Sequence, residues 1–151
     1  MSRRKGLSRR TGSTLLLLEA LAWVIFIRAS LWLRPYQKLL KFCQTCSIGH
    51  AGEHAERVPR AVRRAARWIP GASCLTQALA AQVLLARRGV RSVLHLGVNL
   101  TPSGGFGAHA WIEIDSIVVM GGDQRSLKRY SRIISHETGP AAGAAAKPRI
   151  A

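Results

Sequence analysis

Apolar residues recur with a helical period over the first half of the chain and alternate with polar residues over the second half. A nearly continuous apolar stretch at 14–33 predicts a first helix that begins at Ser13 and is broken by Pro35. The same spacing predicts further helices at 35–42, from 53 or 59 to 68, and at 73–88. Ser73 and Gly89 suit the ends of the last helix as its N-cap and C-cap residues.

Three predicted strands follow these helices. Residues 90–100 and 108–114 alternate, and a short strand at 117–120 follows a tight turn at Asp115–Ser116. Helices that precede an antiparallel meander indicate an α+β fold. The predicted parts of the chain are a basic, mobile N-terminus at 1–12, a helical region at 13–55, a core domain at 56–134 and a flexible tail at 135–151.

The first predicted helix is apolar on almost every side, which leaves three interpretations. A secretory or twin-arginine signal would use Arg3 and Arg4, but Glu19 interrupts the apolar run and no small-residue cleavage site follows. A membrane span would place Glu19 and Arg28 in the bilayer, where each charge costs about 2.5–3.5 kcal/mol. We favour a helix buried in the core or against a partner subunit of a cytoplasmic protein, with membrane association through this helix as the alternative.

The composition limits the classes of protein. The chain has 151 residues, of which 48% are hydrophobic, and this excludes a disordered basic tail. Three cysteines are too few for a disulfide scaffold. A net charge of +16 indicates an anionic partner, whether nucleic acid, lipid surface or acidic polypeptide. A basic nucleic-acid-binding or membrane-associated protein without catalysis is therefore an alternative interpretation, although no nucleic-acid-binding motif is present.

Cys74 directly follows the predicted cap of the helix at 73–88. The first turn of a helix carries backbone N–H groups without intrahelical partners, and the helix dipole there favours a thiolate over a thiol. The same N–H groups can stabilise the oxyanion that forms when the thiolate attacks a carbonyl group. A small cysteine buried for packing is the alternative that position alone leaves open.

His109 is the predicted base for Cys74, and it lies on the strand face opposite the core. A third group must orient its imidazole, and Glu113 is too far along the strand, at about 13 Å. A three-residue hairpin turn would pair position 109 with Asp123. A two-residue turn would pair position 109 with Gly122 instead, and a bulge at the glycine pair, Gly121-Gly122, would then be needed to turn Asp123 to the face of His109. Asp123 is therefore the predicted orienting group, with a solvated loop aspartate as the alternative.

Two blocks of sequence carry a resemblance to a known family. They are Ser73-Cys74-Leu75-Thr76-Gln77-Ala78-Leu79 and Gly105-Phe106-Gly107-Ala108-His109-Ala110-Trp111-Ile112-Glu113, with Arg87-Arg88-Gly89-Val90 and Leu96-Gly97-Val98 between them. Over about residues 56–125 the chain resembles the leader peptidase of lasso-peptide biosynthesis, the B-protein peptidase domain of the transglutaminase-like and papain-like cysteine hydrolases. The resemblance places the family's catalytic Cys, His and Asp on Cys74, His109 and Asp123.

The resemblance implies a transglutaminase-like or papain-like core and a defined reaction. Cys74 would attack a carbonyl of the precursor peptide, His109 would shuttle the proton, and Asp123 would hold the imidazole. Leader removal would free the N-terminus of the core peptide for an ATP-dependent lasso cyclase. Family precursors carry a Thr near the end of the leader, which implies a specificity pocket near Cys74.

The expected partners follow from the same resemblance. Fused relatives carry a leader-recognition domain ahead of the peptidase, and the first 55 residues contain no predicted strands for such a domain. We therefore expect a separate leader-recognition protein and no nucleic acid. The apolar helix at 14–33 and an arginine stripe (Arg57, Arg60, Arg64 and Arg67) are candidate docking surfaces for it. The excess positive charge would steer an acidic leader or recognition partner toward Cys74.

A possible zinc site comes from Cys43, Cys46, His50 and His54. The cysteine pair and the histidine pair are too close for a usual zinc finger and, if helical, would line up on one face rather than close a tetrahedron. We therefore expect no metal and no cofactor. His95 alternates with the core-facing positions of its strand and is predicted to lie at the surface.

Overall fold

The computed structural model of the chain describes residues 3–33, 55–100 and 105–139. Its helices are α1 (Arg3–Leu33), α2 (Val58–Ala66), α3 (Cys74–Arg87) and α4 (Gln124–Leu127), and its strands are β1 (Ser92–Leu100), β2 (Phe106–Ile114), β3 (Ile117–Met120) and β4 (Ser131–Thr138). A short 3₁₀ helix, Ala55–Arg57, precedes α2. The helix predicted at 35–42 lies outside the described residues.

The strands form one antiparallel sheet in the order β3-β2-β1-β4. Helices followed by this sheet make an α+β fold, which confirms the predicted class. β2 and β3 are joined by the predicted tight turn at Asp115–Ser116, where φ is 48° and 65°. Positive φ at both turn residues matches the twist of the flanking strands, so the turn sets the hairpin.

β4 is the strand that the sequence pattern did not predict. The predicted flexible tail from residue 135 is wrong as far as Thr138, because these residues pair with β1. Most side chains of β4 are exposed, so ladder hydrogen bonds hold this edge strand rather than apolar burial. Gln82 of α3 also donates a hydrogen bond to the His136 carbonyl oxygen at 2.8 Å, and Arg91 forms an ion pair with Glu137.

α1 begins at Arg3 and not at Ser13, so the predicted start of this helix is wrong. The predicted mobility of residues 1–12 stays a prediction. The segment is rich in Arg, Lys and Leu, which are good helix formers, and it has no proline to stop the helix. Its two glycines do not stop the helix either, because a single glycine costs a helix only about 1 kcal/mol.

One face of α1 packs against α2 and α3. Its buried residues recur every three or four positions and are Leu16, Ala20, Val24 and Ile27. Glu19, which interrupts the apolar run, lies 2.6 Å from Arg88 and 3.4 Å from Arg87 at the end of α3. The charge that argued against a membrane span therefore ties α1 to the core of the fold.

The opposite face of α1 is apolar and exposed. Its large residues are Leu15, Leu18, Ile25, Phe26, Trp32 and Leu33. The stretch Gly12–Leu33 has 22 residues, and the mean hydropathy of its 18-residue window is 1.9, so it is long and apolar enough, by length and composition, to cross a membrane. The core-helix interpretation accounts for the inner side of α1 and leaves this outer side unexplained.

The two faces of the sheet have different neighbours. The inner face carries Leu94, Ala110 and Ile112, and it packs against α3. The outer face carries His95, His109, Trp111 and Glu113, whose side chains contact one another. His109 thus lies opposite the core face, as the alternating pattern predicts.

Candidate active site

Cys74 is the first residue of α3, and its neighbours fix the start of the helix. The Ser73 hydroxyl accepts a hydrogen bond from the Thr76 amide at 3.3 Å, as a cap residue does. The amides of Cys74 and Leu75 precede the first intrahelical hydrogen bond, so they are available to a ligand. Cys74 is a half-buried free thiol. The positive end of the helix dipole therefore acts on a sulfur that a substrate can reach.

His109 lies in the middle of β2, opposite Gly97 of β1. Its Nε2 forms a hydrogen bond with the carbonyl oxygen of Gly121. Because a carbonyl oxygen only accepts, Nε2 must carry the proton, and in the neutral ring Nδ1 keeps the lone pair. The ring is further held by Tyr130 and Trp111, at centroid distances of 5.3 and 6.5 Å. An imidazole fixed in this tautomer can accept a thiol proton at Nδ1.

Gly121 reaches His109 because the β2–β3 hairpin changes register. The hairpin has a two-residue turn, followed by a bulge between Glu113 and Ile112. Of the two predicted hairpins, the one with a two-residue turn and a correcting bulge is therefore confirmed. The bulge was expected at Gly121-Gly122, but it lies before that pair. Gly121 has a φ of 97°, and a Cβ there would lie 2.6 Å from the Ala110 carbonyl oxygen. Only glycine allows the backbone to approach β2 this closely.

Asp123, the predicted orienting group, is the exposed N-cap of α4. Its Oδ1 accepts hydrogen bonds from the amides of Arg125 and Ser126, at 2.9 and 2.8 Å. The bond from Ser126 is the main cause of a lowered pKa of the Asp123 carboxyl. The group on the imidazole is instead the carbonyl of Gly121, so the expected carboxylate–imidazole hydrogen bond is replaced by a backbone contact from the same segment.

One cavity of about 450 Å³ connects these residues. Its lining residues are Cys74, His109, Asp123, Arg63, Gln77, Ala110, Met120, Gly121 and Gly122. The cavity is of the size that holds a small ligand or a short stretch of peptide. The nucleophile, base and acid predicted from sequence therefore line the same space, although they come from separate parts of the chain.

Arg63 and Gln77 are cavity residues that the sequence analysis missed. Arg63 of α2 donates a hydrogen bond to the Val119 carbonyl oxygen at 2.9 Å, at the bulge of β3. Gln77 donates to the Ala72 carbonyl oxygen at 3.0 Å. The three-residue spacing from Cys74 could have placed Gln77 on the same helix face. No pattern could have found Arg63, because its contact depends on where the bulge lies.

A buried polar network on the outer face of the sheet lies beside His109. Trp111 is 1% exposed, and its Nε1 donates to Glu113 at 3.1 Å. Arg132 donates to the same carboxylate at 3.0 Å, and the Nε2 of His95 lies 3.2 Å from its other oxygen. The prediction that His95 lies at the surface is wrong, because His95 is 5% exposed and stacks on Trp111 at 5.3 Å. Burial lowers the pKa of His95, although Glu113 acts in the opposite direction.

Metal binding has no support within the part of the chain that the structure describes. No group of three or more His, Cys, Asp or Glu side chains in these ranges could hold a metal ion. Cys43, Cys46, His50 and His54 lie outside these ranges, so the expectation for them stays a prediction.

Comparison with known proteins gives one match. A family model described as the transglutaminase-like superfamily matches residues 19–135, which include α2, α3, all of β1 to β3 and most of β4. No curated protein and no solved structure matches the chain. The matched region contains Cys74, His109 and Asp123.

Proposed function

Because the chain belongs to the transglutaminase-like superfamily, which includes cysteine peptidases and transglutaminases, we propose that it is a cysteine peptidase with Cys74 as nucleophile and His109 as base. The observation that carries the proposal is the shared cavity, which is lined both by a thiol at a helix N-terminus and by an oriented imidazole. A cysteine that served only for packing would need neither the cavity nor the base.

The proposed reaction gives each of the two side chains one role. Nδ1 of His109 takes the thiol proton, and the Cys74 sulfur bonds to the carbonyl carbon of a peptide group. The oxyanion accepts hydrogen bonds from the first amides of α3. The C–N bond then breaks, His109 gives its proton to the leaving amine, and a thioester remains on Cys74. Water, deprotonated by His109, hydrolyses the thioester and restores the thiol.

Asp123 is proposed as the third member of the site, acting through the backbone. Its carboxylate caps α4 and thereby fixes the chain direction just after the glycine pair. The Gly121 carbonyl is held where it can accept from His109, which sets the tautomer that the reaction needs. In this role Asp123 is a positioning residue, and its charge is less important than its ability to cap the helix.

The proposed substrate is the precursor of a lasso peptide, which the enzyme cleaves between leader and core. The support is the resemblance of the Cys74 and His109 blocks to the leader peptidases of this pathway. On this proposal the chain works in the cytoplasm with a separate leader-recognition protein, ahead of an ATP-dependent cyclase. The exposed apolar face of α1 is the proposed contact surface for that protein, and the basic excess favours an acidic leader.

A cleavage assay tests the proposal. The protein is incubated with a lasso precursor and its recognition protein, and the products are followed by mass spectrometry. We expect release of the intact leader by the wild type and a loss of at least about a thousandfold in Cys74→Ala and His109→Ala, because both act in the chemical step. Cys46→Ala is the matched control, because it removes a different thiol, and it should cleave like the wild type.

Three results would contradict parts of the proposal. Unimpaired cleavage by either Cys74→Ala or His109→Ala would exclude the mechanism. Salt-sensitive binding to DNA without cleavage of any precursor would favour the noncatalytic alternative. Incorporation of an added amine into a glutamine side chain, with release of ammonia and without cleavage of the peptide bond, would identify a transglutaminase.

A further inference from the structure

The edge of β2 beside the cavity is only partly covered. β2 pairs with β1 from Phe106 to Glu113, but β3 pairs with β2 only from Ile112 to Ile114. Within the described residues, no strand lies against the remaining part of this edge, from Phe106 to Trp111. An open strand edge is a row of hydrogen-bonding groups that another extended chain can use.

The alternation of the strand identifies the backbone groups on this edge. Ile114 flanks the two-residue turn and pairs with Ile117 of β3, so its backbone groups face β3. The Ala110 carbonyl oxygen faces the same side, because the position of a Gly121 Cβ would be only 2.6 Å from it. Every second residue of a strand points its N–H and C=O in the same direction. Ala108 and Phe106 therefore present their backbone groups to the open edge.

The open edge leads to the reacting groups. Ala110 and His109 line the cavity that also contains Cys74, and Ala108 comes next along the strand. Ala108 is exposed, Phe106 is 81% exposed, and Gly107 between them carries no side chain. Nothing large from this strand obstructs a second backbone that would lie alongside it.

We propose that the substrate binds by adding a strand to this edge of β2. A stretch of the peptide lies extended beside β2 and exchanges backbone hydrogen bonds with Ala108 and Phe106, which places the scissile carbonyl group in the cavity next to Cys74. This inference rests on the proposed peptidase function and adds its substrate class: an unfolded, extended segment recognised mainly through its backbone. A peptide already folded into a helix or a ring cannot make these bonds and is a poor substrate.

Chloromethyl ketones that alkylate Cys74 test the proposal without a natural substrate. The probes are acetyl-alanyl chloromethyl ketone, its acetyl-tetra-alanyl counterpart, and versions of the latter methylated at one amide nitrogen at a time. Labelling is read by mass spectrometry of the tryptic peptide that contains Cys74, so that any labelling of Cys43 and Cys46 is counted separately. We expect the tetra-alanyl reagent to react about tenfold faster, the effect of one or two backbone hydrogen bonds.

The methylated reagents give the sharper result. A peptide added as a strand uses alternate amides, so N-methylation should remove the advantage at every second position and leave it within about twofold at the others. Equal losses at all positions, or no advantage of the longer reagent, would overturn the proposal. If, in addition, the short reagent alkylated Cys74 equally fast in the wild type and in His109→Ala, the peptidase function itself would be contradicted.

A protein variant provides the complementary measurement. Ala108→Pro removes the N–H on the open edge, and proline is tolerated on sheet edges. We expect the ratio of the tetra-alanyl rate to the alanyl rate to fall to about one to two. Ile133→Pro, at the bulge of β4 on the far edge of the sheet, is the matched control and should keep the ratio of the wild type. Retention of the ratio in Ala108→Pro would overturn the proposal.

Discussion

Both faces of the sheet bury side chains, but they do so with different chemistry. The inner face packs aliphatic residues such as Ile112 against α3, so its stability comes from apolar area removed from water. The outer face buries Trp111 and His95 to a similar extent, but around the Glu113 carboxylate. Neighbouring residues of one strand thus contribute either to the aliphatic core or to the polar network, because successive side chains of a strand point to opposite faces of the sheet.

The difference explains why His109, the proposed base, lies on the outer face. An aliphatic layer offers an imidazole no partner, whereas the outer face supplies aromatic rings beside His109 and the Gly121 carbonyl at its edge. The polar network fixes the position of Trp111, and Trp111 limits the movement of the His109 ring. Stability and reactivity are therefore coupled on the outer face and separate on the inner face.

Two alanine substitutions on neighbouring positions test this separation and have the largest expected effect. Trp111→Ala and Ile112→Ala should each lower the free energy of unfolding by about 3–4 kcal/mol, since each empties a buried site. Only Trp111→Ala should also slow alkylation of Cys74 in the protein that remains folded, because only it frees the His109 ring. Urea denaturation and peptide-resolved alkylation measure the two effects. Equal slowing by Ile112→Ala would contradict the separation of the faces.

Substitutions of Asp123, the cap of α4, test how the outer face holds the preceding glycine pair, Gly121-Gly122. Asp123→Ala should lower the free energy of unfolding by about 1 kcal/mol and reduce activity, because the cap that fixes the segment is lost. Asp123→Asn keeps a good cap and should restore both to near wild type. Precursor cleavage and urea denaturation of the two variants decide the point. A loss above about a hundredfold in Asp123→Asn would show that the charge itself orients His109.

The pH dependence of stability should be a smaller effect, and His95 on the outer face should supply part of it. Burial lowers the pKa of His95 below its ordinary value of 6.5, so the fold prefers the neutral ring. The stability from this preference is present above that pH and is lost as the pH falls below it. The groups around the ring are Glu113, Arg132 and Ser135. His95→Gln should flatten the fall in urea stability between about pH 7 and pH 5, and an unchanged slope would contradict this assignment.

Periodicity predicted the parts of the fold that depend on side-chain pattern. It gave α3 and its cap at Ser73, the turn at Asp115–Ser116, and the opposite faces of His109 and Ala110. It missed β4, because an edge strand can be held by backbone pairing while its side chains remain exposed.

The candidate site was predictable in its side chains but not in its backbone. A cysteine after a helix cap and a histidine on an alternating strand are visible in sequence. The hydrogen bond from His109 to the Gly121 carbonyl is not, because it depends on a bulge that moves the register by one residue. The position of Asp123 was not predictable either, because its carboxylate caps α4, a helix that the sequence pattern did not predict.

The most direct test of the central claim is the rate at which iodoacetamide alkylates Cys74, measured from about pH 6 to pH 9 in the wild type and in His109→Ala. The tryptic peptide with Cys74 separates this thiol from Cys43 and Cys46. If His109 takes the thiol proton, the wild type should react at least about tenfold faster than the variant near neutral pH, and the two should converge at high pH. Identical rates across the range would contradict a paired nucleophile and base in this cavity.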